Sequence, residues 1–73
     1  MNVNLASEEE LMTLPSINRS LAKNIVNYRE QIGGFRKVED IALVSGMGAT
    51  KLAMIRPEIC VNRNGRAAMR LAH

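Results

Sequence analysis

Apolar positions along the chain fall into short groups, separated by proline, glycine and acidic residues. The first group follows a helix-start signal, because Ser7 with Glu10 three residues later is the pattern of a capping box. Leu11 and Leu14 supply an apolar face, and Pro15, which lacks a backbone N–H, ends the element. The pattern therefore predicts a short first helix between Ser7 and Pro15.

A longer second helix is predicted next. Asn18 or Ser20 can cap its start, and Gly33-Gly34 can end it through left-handed backbone. Its apolar residues at positions 21, 22, 25 and 26 share one helical face. Phe35, the one phenylalanine of the chain, follows in a connector, and we expect it to fill the core.

The second half of the chain predicts two more short helices. Residues 38–44 form the third, residues 45–48 a turn with two glycines, and residues 49–55 the fourth. A short extended or irregular end follows at residues 59–61, with Cys60 expected to be a small core residue. Residues 62–73 contain three arginines and predict a flexible basic tail or linker, with a frayed helix over residues 67–72 as the alternative.

The two halves repeat each other when the chain is shifted by 30 positions. The acidic helix start, the turn and the apolar positions of the longer helix all align. The aligned pairs are Glu9 with Glu39, Glu10 with Asp40, Leu11 with Ile41, Leu14 with Val44, Ile17 with Met47, Ala22 with Leu52, and Ile25 with Ile55. Neither half can bury its apolar face alone, so the repeat predicts an all-α domain of four short helices, covering residues 1–61.

Composition limits the function classes. A chain of 73 residues with 47% hydrophobic residues makes one small domain, too small for a pocket with several convergent catalytic groups. A single cysteine cannot form an intramolecular disulfide, and no cluster of cysteine and histidine suits zinc. We therefore expect a binding module, not an enzyme, with no metal, cofactor, signal peptide or membrane span, and an intracellular rather than secreted location.

Charge is spread unevenly along the chain. The formal net charge is +3, and it divides into −1 for residues 1–35 and +4 for residues 36–73. A basic second half is typical of proteins that bind a polyanion, although many domains carry such an asymmetry for solubility alone.

The second turn (residues 44–51) has the chemistry of a phosphate cradle. Glycines at positions 46 and 48 let a ligand approach the backbone, and the following helix begins with N–H groups that have no internal partner. These groups and the helix dipole attract an anion. The predicted contact residues are Gly46, Met47, Gly48, Ala49, Thr50 and Lys51, with Met47 pointing inward as an anchor. Contacts of this kind to phosphate carry no sequence information.

The first turn (residues 14–19) is a weaker candidate. Ser16 and Asn18 stand where the second turn has its glycines, and a serine forced to positive φ costs about 1 kcal/mol. Arg19 and Lys23 can compensate with side-chain contacts. We expect this turn to be mainly structural, with weak phosphate contact.

At these residues the chain resembles a tandem helix-hairpin-helix domain of the competence-protein ComEA type. The resemblance covers residues 2–61. It is carried by Asn4-Leu5-Ala6-Ser7, Glu9-Glu10-Leu11, Leu14-Pro15-Ser16-Ile17-Asn18, Ala22–Ile25–Tyr28-Arg29, Gly34-Phe35, Val38-Glu39-Asp40-Ile41 and Gly46-Met47-Gly48. Residues 8–15, 32–35 and 38–52 look most like the animal endonuclease/exonuclease/phosphatase-family domain-containing proteins, in which such domains precede a nuclease-like domain.

The resemblance implies two pseudo-symmetric helix-hairpin-helix units in a SAM-like bundle, which bind DNA without sequence preference through hairpin backbone amides. Carried over by position, the contacts are Gly46, Met47 and Gly48 with the helix start at residues 49–51. It also implies a larger DNA-processing or DNA-uptake protein, nuclear if the animal resemblance holds, whose other domains are partners. The same four-helix shape can instead serve protein–protein interaction or dimerisation without DNA contact, and the modest charge of +3 leaves that hypothesis open.

Overall fold

The computed structural model describes residues 1–62, which form a small helical bundle. Its elements are α1 (Glu8–Leu11), α2 (Arg19–Ile32), a first 3-10 helix (Val38–Leu43), α3 (Ala49–Ile55) and a second 3-10 helix (Arg56–Glu58) that continues α3. Within residues 1–62 the one extended pairing is an isolated parallel bridge between Asn2 and Cys60. The all-α fold predicted from the repeat is confirmed. Of the tail predicted at residues 62–73, all but Asn62 lies outside the described residues.

Local signals set the ends of the first two helices. The Ser7 hydroxyl accepts a hydrogen bond from the Glu10 N–H at 3.1 Å, and the Ser7 N–H donates to the Glu10 carboxylate at 2.8 Å, so the capping box is confirmed. Helix α1 ends at Leu11, earlier than Pro15 requires. Helix α2 ends at Ile32, and the following Gly33 has a φ of 77°, the left-handed conformation expected of a C-terminal cap.

The third predicted helix is a 3-10 helix of six residues rather than an α-helix. The Asp40 carboxylate accepts hydrogen bonds from the Arg36 and Lys37 N–H groups at 3.1 and 3.2 Å. The element connects the loop that contains Phe35 to the second turn, a role in which 3-10 geometry is frequent, although six residues is long for such a helix.

The core is built from repeat-related positions. Both members of each of five aligned pairs are buried: Leu11 and Ile41, Leu14 and Val44, Ile17 and Met47, Ala22 and Leu52, and Ile25 and Ile55. Phe35 fills the centre as expected, fully buried and with its ring centroid 6.1 Å from that of Tyr28. The two units therefore share one hydrophobic core.

Cys60 is exposed, so its prediction as a core residue is wrong. Its neighbour Ile59 is buried instead, because successive side chains of extended backbone point to opposite sides. The backbone of Cys60 is what matters to the fold, since it bonds to Met1 and Val3 and joins the two ends of the domain.

Among the described residues, no helix combines the length and the apolar character that crossing a bilayer requires.

Candidate functional site

The two turns have the same backbone path. Ser16 has a φ of 66° and its repeat partner Gly46 a φ of 91°, so both are left-handed. Asn18 and Gly48 then begin α2 and α3 as extended N-terminal caps, with φ of −95° and −123°. Left-handed backbone is therefore required at position 46 but not at position 48, where glycine keeps side-chain bulk away instead.

A buried residue anchors each turn while its flanks remain exposed. Met47 is buried in the second turn, as predicted, and Ile17 occupies the equivalent place in the first. The exposure pattern of residues 11–20 is reproduced residue by residue at 41–50. The turns are thus two surface copies of one structure.

Each turn packs against the longer helix of the other unit. The Asn24 side-chain amide of α2 donates to the Ser45 carbonyl at 3.0 Å. Reciprocally, the Ser16 hydroxyl lies 3.4 Å from the sulfur of Met54 in α3. Asn24 and Met54 are themselves 30 positions apart, so equivalent positions of the two longer helices contact the opposite turns.

This packing opens both turns onto one shallow groove of about 230 Å³, the inter-turn groove. Its lining comes from both units: Ser16, Asn18, Ser20, Leu21, Asn24, Gly46 and Lys51. Lys51 is the one charged residue in this lining. Hydroxyl, amide and ammonium groups facing a groove without a carboxylate form surroundings suited to an anion.

The second turn has the larger set of free backbone donors. Gly48 provides no side-chain cap, and within residues 1–62 the N–H groups of Ala49, Thr50 and Lys51 have no protein acceptor. The first helical bond of α3 is donated by Leu52 to the Gly48 carbonyl at 3.0 Å. Three adjacent amides are consequently available to an external oxygen.

The first turn satisfies part of the same donor set internally. The Asn18 side-chain oxygen accepts the Leu21 N–H at 2.9 Å, and Leu21 is the repeat partner of Lys51. Arg19 forms an ion pair with Glu8, Nη1 to Oε1, at 2.8 Å. Lys23 is exposed on α2. Of the residues predicted for weaker contact, Ser16 and Asn18 line the groove, whereas Arg19 and Lys23 lie outside its lining.

Two polar residues of the groove were not predicted from the sequence. Ser20 is the repeat partner of the predicted contact Thr50, so the repeat itself carried the signal. Asn24 had no such signal, because its partner at the next repeat is Met54 and its role depends on the packing of the second turn.

The described residues are formally balanced in charge. Seven of the ten lysines and arginines and all seven acidic residues fall within residues 1–62, so the net charge of +3 resides in residues 63–73.

Within the described part, Arg56 pairs with Glu39 at 3.0 Å. The pKa of Glu39 is lowered from its ordinary value by hydrogen bonding from its own backbone N–H and then by the hydrogen bond and positive charge of Arg56.

Comparison with known proteins gives one family match. A family model described as a helix-hairpin-helix motif matches residues 1–60. This range contains both turns and every helix that the structure describes.

Relatives of high identity are longer proteins. The chain is 62% identical over 68 residues to mouse endonuclease/exonuclease/phosphatase family domain-containing protein 1, covering 93% of this chain and 12% of the relative. The zebrafish protein of the same name is 68% identical over 62 residues, covering 85% and 11%. The ComE operon protein 1 of Bacillus subtilis is 39% identical over 61 residues, covering 84% and 30%. The chain thus spans about an eighth of the mouse relative and under a third of the bacterial one.

Proposed function

The chain belongs to the helix-hairpin-helix family, and from that membership and the free amides of the second turn we propose that it is a DNA-binding module. It contacts the phosphate backbone without sequence preference. The observation that carries the proposal is the run of N–H groups at residues 49–51 that have no acceptor within residues 1–62, next to Gly48, which has no side chain to cap the helix.

The chemistry of this contact follows from the groups present. A phosphate oxygen accepts from the amides that open α3, while Thr50 adds a hydroxyl donor and Lys51 a positive charge at the edge of the groove. None of these groups distinguishes one base from another, because they reach phosphate rather than base edges. Binding is therefore sequence-independent and sensitive to salt.

Magnitudes for such a small contact are modest. Neutralising about two to four phosphates gives a slope of log K against log salt of about −2 to −4, and a Kd of about 10⁻⁴ to 10⁻⁶ M. A module of this strength works best when tethered, since a linked domain raises its effective concentration on DNA. We propose that it positions the remainder of a longer DNA-processing protein, as the length of its relatives suggests.

The proposal is tested by fluorescence anisotropy of labelled duplex, single-stranded and branched DNA at about 20 and 150 mM salt. Lys51→Glu is expected to abolish binding at low salt. Lys37→Glu is the charge-matched control, because Lys37 is exposed and lies outside both turns and the groove. Equal losses of DNA affinity in the two variants would show that the phosphate contact does not lie in the second turn.

Failure of the unsubstituted protein to bind any of these DNAs at high micromolar concentration and low salt would overturn the proposal. Sedimentation of the same samples would then show whether the chain self-associates, which is the result expected of a dimerisation domain.

A further inference from the structure

We propose that the first turn is an internally occupied copy of the second, in which Glu8 acts as a gate on DNA contact by Arg19. This inference rests on the proposed function and concerns the regulation of the same surface. Two protein oxygens accept hydrogen bonds that a phosphate oxygen would otherwise accept. The Asn18 oxygen accepts from the Leu21 N–H, and the Glu8 carboxylate accepts from the Arg19 guanidinium.

The first occupant is the cap of α2. The Asn18 oxygen accepts the Leu21 N–H at 2.9 Å, and the equivalent N–H in the second turn, that of Lys51, has no acceptor within residues 1–62. This bond is local and stabilises the helix start. It leaves the amides of Arg19 and Ser20 as the open backbone donors of the first turn.

The second occupant is the Glu8 carboxylate. Its Oε1 lies 2.8 Å from Arg19 Nη1, and the Arg19 side chain remains 56% exposed whereas that of Glu8 is 27% exposed. The carboxylate is placed by the start of α1, and the guanidinium remains within reach of solvent. An exposed pair of this kind is weak enough for another anion to displace.

The second unit provides an internal comparison. The repeat partners of Glu8 and Arg19 are Val38 and Ala49, which can form no ion pair. The second turn therefore has neither the gate nor the arginine. The difference in ion pairing between the turns is a property of these four side chains and not of the backbone path.

The gate predicts an order of contacts. DNA binds the second turn first, because its amides are free. The first turn then contacts DNA only when a phosphate displaces the Glu8 carboxylate from the Arg19 guanidinium. This displacement is favoured because DNA bound at the second turn raises the local concentration of phosphate. Glu8 thus limits the affinity of the isolated module and the number of phosphates it neutralises.

Charge-neutral variants of adjacent glutamates test this gate. Glu8→Gln removes the partner of Arg19, and Glu9→Gln makes the same charge change one residue away, at an exposed position without an ion pair in the described part of the chain. Each is combined with Arg19→Gln, and duplex binding is measured by anisotropy over a salt series. Thermal unfolding of all variants checks that the fold is retained.

The expected result is that Glu8→Gln tightens binding about two- to fivefold more than Glu9→Gln does, the range within which an exposed ion pair acts. Its salt slope should steepen by about 0.9, which corresponds to one additional phosphate. Arg19→Gln should cost little affinity in the unsubstituted protein and cancel the whole gain in the Glu8→Gln background.

Equal tightening by the two glutamate variants would overturn the gate, as would an Arg19→Gln loss of the same size in both backgrounds. In either case the proposed DNA contact of the second turn would stand. Absence of binding by every protein in the set would instead overturn the proposed function on which the gate depends.

Discussion

At the scale of single residues, the left-handed position of each turn has a different occupant and a different cost. Gly46 adopts its φ of 91° freely, whereas Ser16 holds a side chain at 66°. A Cβ at position 46 would also lie 3.4 Å from Leu21 Cδ1. The second turn is thus relaxed where the first is strained.

Opposite substitutions at these two positions should have opposite effects on stability. Gly46→Ala is expected to lower the free energy of unfolding by about 1–2 kcal/mol, because alanine must enter the left-handed region. Ser16→Gly should raise it by about 0.5–1 kcal/mol, since relief of strain exceeds the greater chain entropy of glycine in the unfolded state. Urea unfolding monitored by circular dichroism measures both, and a stable Gly46→Ala variant would contradict the assigned strain.

Substitutions at Gly48, the N-terminal cap residue of α3, should change stability and DNA affinity in opposite directions. Gly48 has ordinary extended backbone, and a Cβ at this position would meet no atom within 4 Å. Gly48→Asn should therefore fit and accept the Lys51 N–H as Asn18 accepts that of Leu21. We expect a gain of a few tenths of a kcal/mol in stability. DNA binding should weaken about tenfold, because the variant's own oxygen occupies a donor that phosphate uses.

Gly48→Ala is the matched control for this prediction. It adds bulk but no acceptor, so it should be less stable than Gly48→Asn and yet bind DNA more tightly. Unfolding curves and DNA-binding anisotropy of the unsubstituted protein, Gly48→Asn and Gly48→Ala give the order of stability and the order of affinity. A ranking in which affinity simply follows stability would contradict the assignment of the Lys51 N–H to phosphate.

At the scale of elements, the helices and turns were predictable from the sequence because their signals are local. Ser7 with Glu10, Gly33 and the bounds of α3 were all predicted where the structure has them. The 30-residue shift also anticipated the shared core, since a repeat of apolar positions implies a repeat of buried ones.

Contacts between elements were not predictable in the same way. The Asn4 side chain both donates to the Phe35 carbonyl at 3.0 Å and accepts its N–H at 2.7 Å, across 31 positions of sequence. Arg29 donates to the Val3 and Ala6 carbonyls at 2.9 and 2.7 Å. Nothing local distinguishes these polar side chains from solvated ones. For the same reason the sequence does not predict the ion pair between Glu8 and Arg19 or the position of Asn24 in the inter-turn groove.

The Glu39–Arg56 pair joins the first 3-10 helix to the start of the second and should make stability depend on pH. Because the folded pKa of Glu39 is lowered, its contribution is present above the ordinary glutamate value of 4.5 and is lost as the pH falls through the folded pKa. Glu39→Gln should therefore lower the melting temperature slightly at neutral pH and make no difference in strong acid.

Thermal unfolding of the two proteins between about pH 3 and pH 7 measures this difference. Arg56→Gln should reproduce part of the loss at neutral pH, because the backbone N–H of Glu39 also lowers the pKa, and it should add little when combined with Glu39→Gln. A difference between the unsubstituted protein and Glu39→Gln that persists unchanged into acid would assign the effect to something other than ionisation of Glu39.

At the scale of the whole molecule, charge and contact chemistry lie in different parts of the chain. Residues 1–62 are formally neutral and contain both turns, while Arg63, Arg66 and Arg70 carry the excess of +3. Short-range phosphate contact and long-range attraction to a polyanion are therefore separable. Attraction between charges is screened beyond about 8 Å at physiological ionic strength and reaches about 30 Å at 0.01 M.

Replacing Arg63, Arg66 and Arg70 together by glutamine in the full chain should remove the long-range component alone. We expect duplex affinity to fall about tenfold at 20 mM salt and about twofold or less at 150 mM, which makes the salt slope shallower by about 1 in total. Gly48→Asn, which alters a short-range contact, should instead weaken binding by a similar factor at both salt concentrations. If the triple variant binds as tightly as the unsubstituted chain at low salt, the long-range attraction to DNA originates within residues 1–62. Lys51 and the N–H groups at the start of α3 would then have to supply that attraction, although the formal charge of residues 1–62 is balanced.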